Sequence, residues 1–358
     1  MSAETTKIDA LRGVAALTVL FAHADAADLV KNAWISSQAA FLGHFGVDLF
    51  FIMSGALIWR SAQGNLGEGK VGVYAINRAT RILPLYWINI AFCVFALGAI
   101  GSVVQLDTSG SVILRHLTFT QSYEPNVSRA LNPVLWTLAF EMTFYILVVG
   151  LFFVAKRLRP VWWLVIFSVL GVRDFGAMIW QVVPQYREWV FPFIKFAPLF
   201  MVGIILEELR AKRLKPGDAF PIAMGAAAMV WGQISRTDDH LMPVLAACSI
   251  ASFYCVQVAN WSRYAMMPFA WAGLISYSLY IWHYLIISIM AFHLDAIRAW
   301  IGPIFRDDLI RAVMVISFIL AVSAASYLLI ERPFMGPIRR WITPKPKNEA
   351  KAMAVPAE

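Results

Sequence analysis

An arginine and a histidine stand eleven residues apart in an otherwise apolar stretch, Ile8 to Ala24, reading IDALRGVAALTVLFAHA. Eleven helical steps of about 100° close to within about 20° of whole turns, so Arg12 and His23 share one helix face, about 16 Å apart along its axis. A charged side chain at bilayer depth costs roughly 2.5 to 3.5 kcal/mol even on the lenient insertion scale, so the pair needs a compensating partner or a use. The bland use is an interfacial anchor, with Arg12 snorkelling to the headgroups and His23 hydrogen-bonded inside a bundle. The chemical use is a base that works near neutral pH, set above a cation that holds an anion.

Other ionisable and hydroxyl residues sit in similarly apolar surroundings. FGVDLFFIMSGALI buries Asp48 and ends in the small pair Ser54-Gly55, which suits close helix packing. NRATRILPLYW places Arg78 and Arg81 about one helical turn apart beside Pro84, a residue tolerated at a helix start. They read either as positive-inside anchors or as a fork for phosphate, because guanidinium groups bind phosphate oxygens bidentately. NPVLWTLAFEMTFYIL carries Trp136 and Glu141, and LISYSLYIWHYLI carries Tyr277, Tyr280 and His283. Counted at about 1.5 Å per residue from the inner ends of their helices, His23 and His283 come out near 20 Å and Glu141 near 19 Å, in a core of about 30 Å. Two histidines and a glutamate at one level, above a layer of three arginines, have the makings of a site. A buried carboxylate can orient a histidine and stabilise its charged form, and the arginine layer would hold an anionic donor.

These residues must be positioned by membrane helices. The chain has 358 residues, 60% hydrophobic and only 15% charged, with a mean hydropathy of +0.66. Soluble domains run at roughly 45 to 50% apolar and 25% charged, so the composition describes a polytopic helical membrane protein with little room for a soluble domain. Ten apolar runs qualify as spans, near residues 9–27, 44–61, 82–103, 134–154, 161–181, 189–207, 219–235, 241–261, 270–292 and 309–330. The fifth is the weakest, since Arg173 and Asp174 interrupt it. An internal amino terminus puts about 20 of the 30 Lys and Arg on the cytoplasmic side, including Lys156, Arg157, Arg159, Arg210 and Arg263, which predicts both termini inside. The formal charge of +8 is mostly this orientation signal and gives no reason to invoke nucleic acid. Asp9 and the further spans make the first run a signal anchor rather than a cleaved leader. Cys93, Cys248 and Cys255 read as inert core residues, no metal is expected, and Asn126-Val127-Ser128 is a sequon in form only. The expected organisation is a transmembrane domain over 1–335 and a basic, disordered cytoplasmic tail over 336–358.

Taken in order, DALRGVAAL with its Arg12 to His23 spacing, GVDLFFIMSG, RATRILPLYW, LWTLAFEMTFY, SYSLYIWH and the closing ERPF at Glu331 to Phe334 resemble the integral-membrane acyltransferase-3 family, which O-acylates bacterial surface polysaccharides. The resemblance covers nearly all of residues 7–335 and looks most similar to the single-domain exopolysaccharide acetyltransferase branch. It implies a bacterial inner-membrane enzyme that takes acetyl from cytoplasmic acetyl-CoA to a sugar hydroxyl, on an acceptor that can be lipid-linked, beside polysaccharide-synthesis machinery. It matches the family's arginine and histidine of the first span to Arg12 and His23, its paired arginines to Arg78 and Arg81, and its span-four glutamate to Glu141. Ala56, Thr137 and Tyr284 depart from the phenylalanine, serine and proline common at their positions, which bears on the acceptor more than on the reaction.

On this reading Arg78, Arg81 and Arg12 bind the CoA phosphates, and His23 is the base or the first acyl acceptor. Glu141 positions its ring, Ser54, Tyr277 or Tyr280 donates to the oxyanion, and Asp48, Trp136 and His283 give support. The rival is a proton-coupled transporter or flippase of a polysaccharide precursor, with Glu141 and the histidines as its relay.

Overall fold

The computed structural model describes residues 3–30, 33–124, 126–155, 157–172, 187–234 and 241–338. Arg173, Asp174, Lys156 and the tail from 339 onward lie outside the described residues. Among the described residues there are helices and no strands. In chain order the main helices are α1 (Ala3–Ala26), α2 (Ala33–Gly67), α3 (Val71–Ile100), α4 (Gly110–Leu117), α5 (Pro133–Val154) and α6 (Pro160–Leu170). They continue as α7 (Arg187–Arg210), α8 (Ala219–Ile234), α9 (Leu241–Val258), α10 (Arg263–Leu274), α11 (Ser276–Phe292), α12 (Leu294–Ile301) and α13 (Asp308–Glu331).

Each of the ten apolar runs falls on helix in its described part. By length and composition, four of the described helices can cross a membrane, α2, α3, α5 and α13, and a fifth span is available if α10 and α11 count as one. Phe95, Ile146, Leu309 and Leu329 point outward from these helices and are mostly exposed, as lipid-facing residues are.

Three expectations about helix ends are corrected. α2 begins at Ala33, well before the apolar run that opens at 44, so Asp48 lies in mid-helix. α3 begins at Val71, so Pro84 is inside the helix and Arg78 and Arg81 ride on its early turns. The run 270–292 is two helices bent by 64° at Ile275. A further π-helical turn, Phe334–Ile338, continues past residue 335. Among the cysteines, Cys93 is buried but Cys255 faces outward.

Glycine sets how closely the first helices approach. α1 packs on α10 where a Cβ on Gly13 would lie 1.9 Å from the Phe269 carbonyl oxygen and one on Gly273 would lie 1.7 Å from that of Asp9. α2 meets α7 in the same way: a Cβ on Gly55 would lie 2.1 Å from the Phe200 carbonyl oxygen, and one on Gly203 would lie 2.1 Å from that of Ile52. Small residues let membrane helices touch backbone to backbone, where dispersion contacts hold them.

The charges assigned inside gather at one end of the bundle. Arg60 pairs with Glu207 at 2.8 Å and with Glu4 at 2.8 Å, and Arg210 pairs with Glu207 at 2.6 Å. Glu208 takes hydrogen bonds from Trp59 at 2.7 Å and Gln63 at 2.8 Å, and pairs with Arg213 at 2.9 Å. This network ties the start of α1 to the ends of α2 and α7.

Candidate functional site

Arg12, Arg78, Arg81, Ser54, Glu141 and Tyr277 line one cavity with an empty volume of about 830 Å³. The three arginines predicted to form a layer therefore face one space, although they come from α1 and α3. Arg12 reaches Asp9 at 3.8 Å, and Asp9, Glu141 and Glu331 all act on its charge. Arg78 and Arg81 differ from the arginines of the end network. Neither has a carboxylate within ion-pairing distance among the described residues, and the buried Nε of Arg78 has no hydrogen-bond partner there. The Arg78 guanidinium instead lies over the rings of Tyr74 and Tyr145, 5.7 and 5.4 Å from their centroids, where cation–π attraction holds it without satisfying its N–H groups. A second cavity, about 510 Å³, shares Arg78 and Arg81 and adds Ser61, Asn77, Thr80 and Met335. The side-chain oxygen of Asn77 is also buried without a partner.

Glu141 belongs to this cavity and not to the histidines. Its Oε1 accepts from the Tyr145 hydroxyl at 2.6 Å and from Ser54 Oγ at 3.2 Å. The expectation that Glu141 orients His23 is thereby corrected: rise along a helix fixes depth, but says nothing about which neighbour a side chain turns toward. The ring neighbouring His23 is His283, with His283 Nε2 3.2 Å from His23 Nδ1 and the ring centroids 5.1 Å apart. His23 Nδ1 also lies 3.0 Å from the Val19 carbonyl oxygen, and Tyr284, one of the three departures from the family pattern, stands edge-on to His23 at 5.2 Å. His283 is buried, with Nδ1 at 3.1 Å from the Leu279 carbonyl and 2.8 Å from that of Tyr280.

Tyr280 touches both centres. It lines the arginine cavity, and its ring lies 5.7 Å from that of His283 and 5.9 Å from Phe50. Its hydroxyl donates to the Val134 carbonyl at 3.0 Å and lies 2.8 Å from Thr137 Oγ1, where the family commonly has serine. Tyr277 donates to the Ile82 carbonyl at 2.7 Å. With Ser54 given to Glu141, all three hydroxyl protons expected to serve an oxyanion are already committed. The hydroxyl left over on the cavity wall is that of Ser276, buried with no partner among the described residues.

Two further residues take supporting places. Trp136 packs in an aromatic cluster with Phe196 at 5.2 Å and Phe140 at 5.7 Å, while its carbonyl accepts from Ser122. Asp48 is half-buried, and the cation acting on it is Lys195 of α7. Tyr145, Ser276 and Glu331 were not singled out as site residues in the sequence. Tyr145 was within reach, since it follows Glu141 by four residues and so shares its helix face. Glu331 is buried at the end of α13, accepts a hydrogen bond from Ser278, and acts on both Arg12 and Arg81.

A helical membrane protein with a cationic cavity and a part-buried imidazole pair has parts suited to group transfer. The chain belongs to the acyltransferase-3 family, whose acyltransferase domain matches residues 5–331, and it is a membrane acyltransferase. It is 28% identical over 310 residues to the exopolysaccharide production protein ExoZ of Rhizobium meliloti (strain 1021), covering 82% of this chain and 90% of that one. It is 24% identical over 352 residues to the "Putative membrane-bound transacylase BcsY" of Komagataeibacter xylinus, covering 91% and 81%. Nodulation protein 10 of Rhizobium leguminosarum bv. viciae is 22% identical over 365 residues. No solved structure matches the chain.

Proposed function

We propose that this acyltransferase moves a short acyl group, acetyl in the first place, from cytoplasmic acyl-CoA to a sugar hydroxyl of an exopolysaccharide or its lipid-linked precursor. It does so in the bacterial inner membrane, through ten spans with both termini cytoplasmic, a catalytic domain over 1–335 and a cytoplasmic tail beyond. The gathering of Arg60 and Arg210, at the ends of α2 and α7, around Glu4 at the start of α1 supports that orientation.

The observation that carries the donor assignment is the state of Arg78 and Arg81, two guanidiniums on one cavity without carboxylate partners among the described residues, one with a buried Nε left unbonded there. A buried donor without an acceptor costs about 1 to 3 kcal/mol, which an anionic ligand would recover. CoA phosphates in this layer would send the thioester along α1 toward His23, over the span of about 16 Å set by helix rise. His23 takes the proton of the acceptor hydroxyl as that oxygen bonds to the thioester carbonyl carbon. The C–S bond then breaks, and the departing thiolate takes the proton back. Arg12 and Glu141 set the charge of the cavity floor, and Ser276 is the hydroxyl free to meet the carbonyl oxygen.

The test is binding. Acetyl-CoA should raise the melting temperature of the purified protein, as any ligand of the folded state does, and Arg78→Ala should shrink the rise at the same ligand concentration. Equal stabilisation of both proteins would remove the assignment.

A further inference from the structure

We infer that His283 is the positioning residue for His23, accepting a hydrogen bond that fixes the His23 tautomer and leaves His23 Nε2 as the bare, proton-accepting nitrogen. This rests on the reading of His23 as the base of the proposed transfer.

The argument is one of donors and acceptors. A carbonyl oxygen only accepts, and a neutral imidazole has one N–H and one lone-pair nitrogen. His283 Nδ1 faces two carbonyls, Tyr280 at 2.8 Å and Leu279 at 3.1 Å, so its proton is on Nδ1 and its Nε2 is an acceptor. That Nε2 lies 3.2 Å from His23 Nδ1, which also faces the Val19 carbonyl at 3.0 Å. Both neighbours of His23 Nδ1 are acceptors, so it carries the hydrogen and shares it between them. His23 Nε2 is then the lone-pair nitrogen.

A bond from a histidine to the carbonyl four residues back is a local habit of helices and by itself means little. His116 makes the same bond to Val112 at 2.9 Å, with its Nε2 buried and unbonded among the described residues. What sets His283 apart is that its second nitrogen ends on another imidazole, at a place held from several sides. Tyr280, one turn earlier, is pinned by Thr137 and Val134. Trp282 bonds Ser326 at 2.9 Å, and Ser278 bonds both Ser326 and Glu331. The stretch of α11 that carries His283 is therefore tied to α5 and α13.

The consequence is catalytic. When His23 Nε2 takes the hydroxyl proton, the cation that forms still holds its Nδ1 hydrogen against His283 Nε2, and a hydrogen bond from a charged donor is about twice as strong as a neutral one. His283 thus orients and stabilises the base, the part a carboxylate plays in the serine hydrolase triad, and Glu141 is free for the arginine cavity.

The test has an arm that does not need turnover. In ¹⁵N-histidine-labelled protein in bilayers, six histidines give few enough signals to assign His23 by its loss in His23→Gln. Solid-state NMR should find His23 protonated on Nδ1 and bare on Nε2 in the wild type and in His283→Gln, whose Oε1 replaces the accepting nitrogen. In His283→Ala the two tautomers should mix. In transfer assays His283→Ala should lose about 10- to 100-fold in kcat with an unchanged KM for acetyl-CoA, the scale typical of outer-shell orienting groups. His283→Gln should recover more of that loss than His283→Asn, which cannot reach the Nε2 position. A packing role would make Gln and Asn equivalent. A His23 protonated on Nε2 in the wild type, or the same tautomer in wild type and His283→Ala, overturns the proposal. A wild type that transfers no acetyl counts against the reaction instead, and the NMR arm still decides the role of His283.

Discussion

The Tyr145 hydroxyl donates to the Glu141 carboxylate over 2.6 Å, from one turn further along α5. Ser54 reaches the same carboxylate oxygen from α2, so Glu141 is fixed between two helices with its charge toward the arginines. Removing the Tyr145 hydroxyl deletes a hydrogen bond to a charged acceptor, worth about 1.5 to 3 kcal/mol. Tyr145→Phe should therefore melt below the wild type in detergent. Glu141→Ala should melt lower still, because it strands the hydroxyls of Ser54 and Tyr145 and removes one of the carboxylates that act on the Arg12 charge. A Glu141→Ala protein as stable as wild type would contradict this role.

Arg78 and Arg81 are expected to act on donor binding. Arg78→Ala or Arg81→Ala should raise the KM for acetyl-CoA about 10- to 100-fold, from one lost charge-assisted contact of about 1.5 to 3 kcal/mol, and should leave kcat nearly unchanged. Arg159→Ala is the control, since that arginine is engaged with Asp218 at 2.5 Å. Steady-state kinetics over a range of acetyl-CoA separates the two parameters, and a fall in kcat at constant KM would speak against the assignment.

Helix contact at glycine should show in stability. Gly55→Leu forces a side chain into the Phe200 backbone, and overpacking of this kind costs about 1 to 3 kcal/mol or more. Gly64→Ala, on the same helix with nothing within 4 Å of its would-be Cβ, should instead gain roughly 0.5 to 1 kcal/mol from helix propensity. Thermal melts of the two variants should move in opposite directions.

Orientation can be read with reporter fusions. A fluorescent protein joined after residue 338 should glow, and alkaline phosphatase joined after residue 126 should be active, if the carboxyl end is cytoplasmic and that loop is outside. The reverse pattern would invert the bundle and move the arginine cavity to the wrong face for a cytoplasmic donor.

Much of this arrangement is legible in the sequence because hydropathy and helical rise are one-dimensional quantities. Arg12, Arg78 and Arg81 share a cavity, and His23 and His283 meet, which their common depths allow. Depth does not fix the rotation of one helix against another, and this is why Glu141, level with the histidines by count, turns to Ser54 and Tyr145. The break at Ile275 is likewise tertiary: an apolar run of 23 residues reads as one span, and the close approach of Gly273 to Asp9 beside the bend is a contact between distant parts of the chain. The commitment of Tyr277 and Tyr280 to backbone carbonyls is tertiary as well, since Ile82 and Val134 are distant in the chain.

The most direct test is transfer of labelled acetyl from acetyl-CoA to extracted exopolysaccharide in membranes containing wild type or His23→Ala. Label should reach the polysaccharide with the wild type and should be lost with His23→Ala, while both proteins melt alike and bind acetyl-CoA alike. Transfer by His23→Ala at the wild-type rate would contradict the account at its centre, because no other group is placed here as the base.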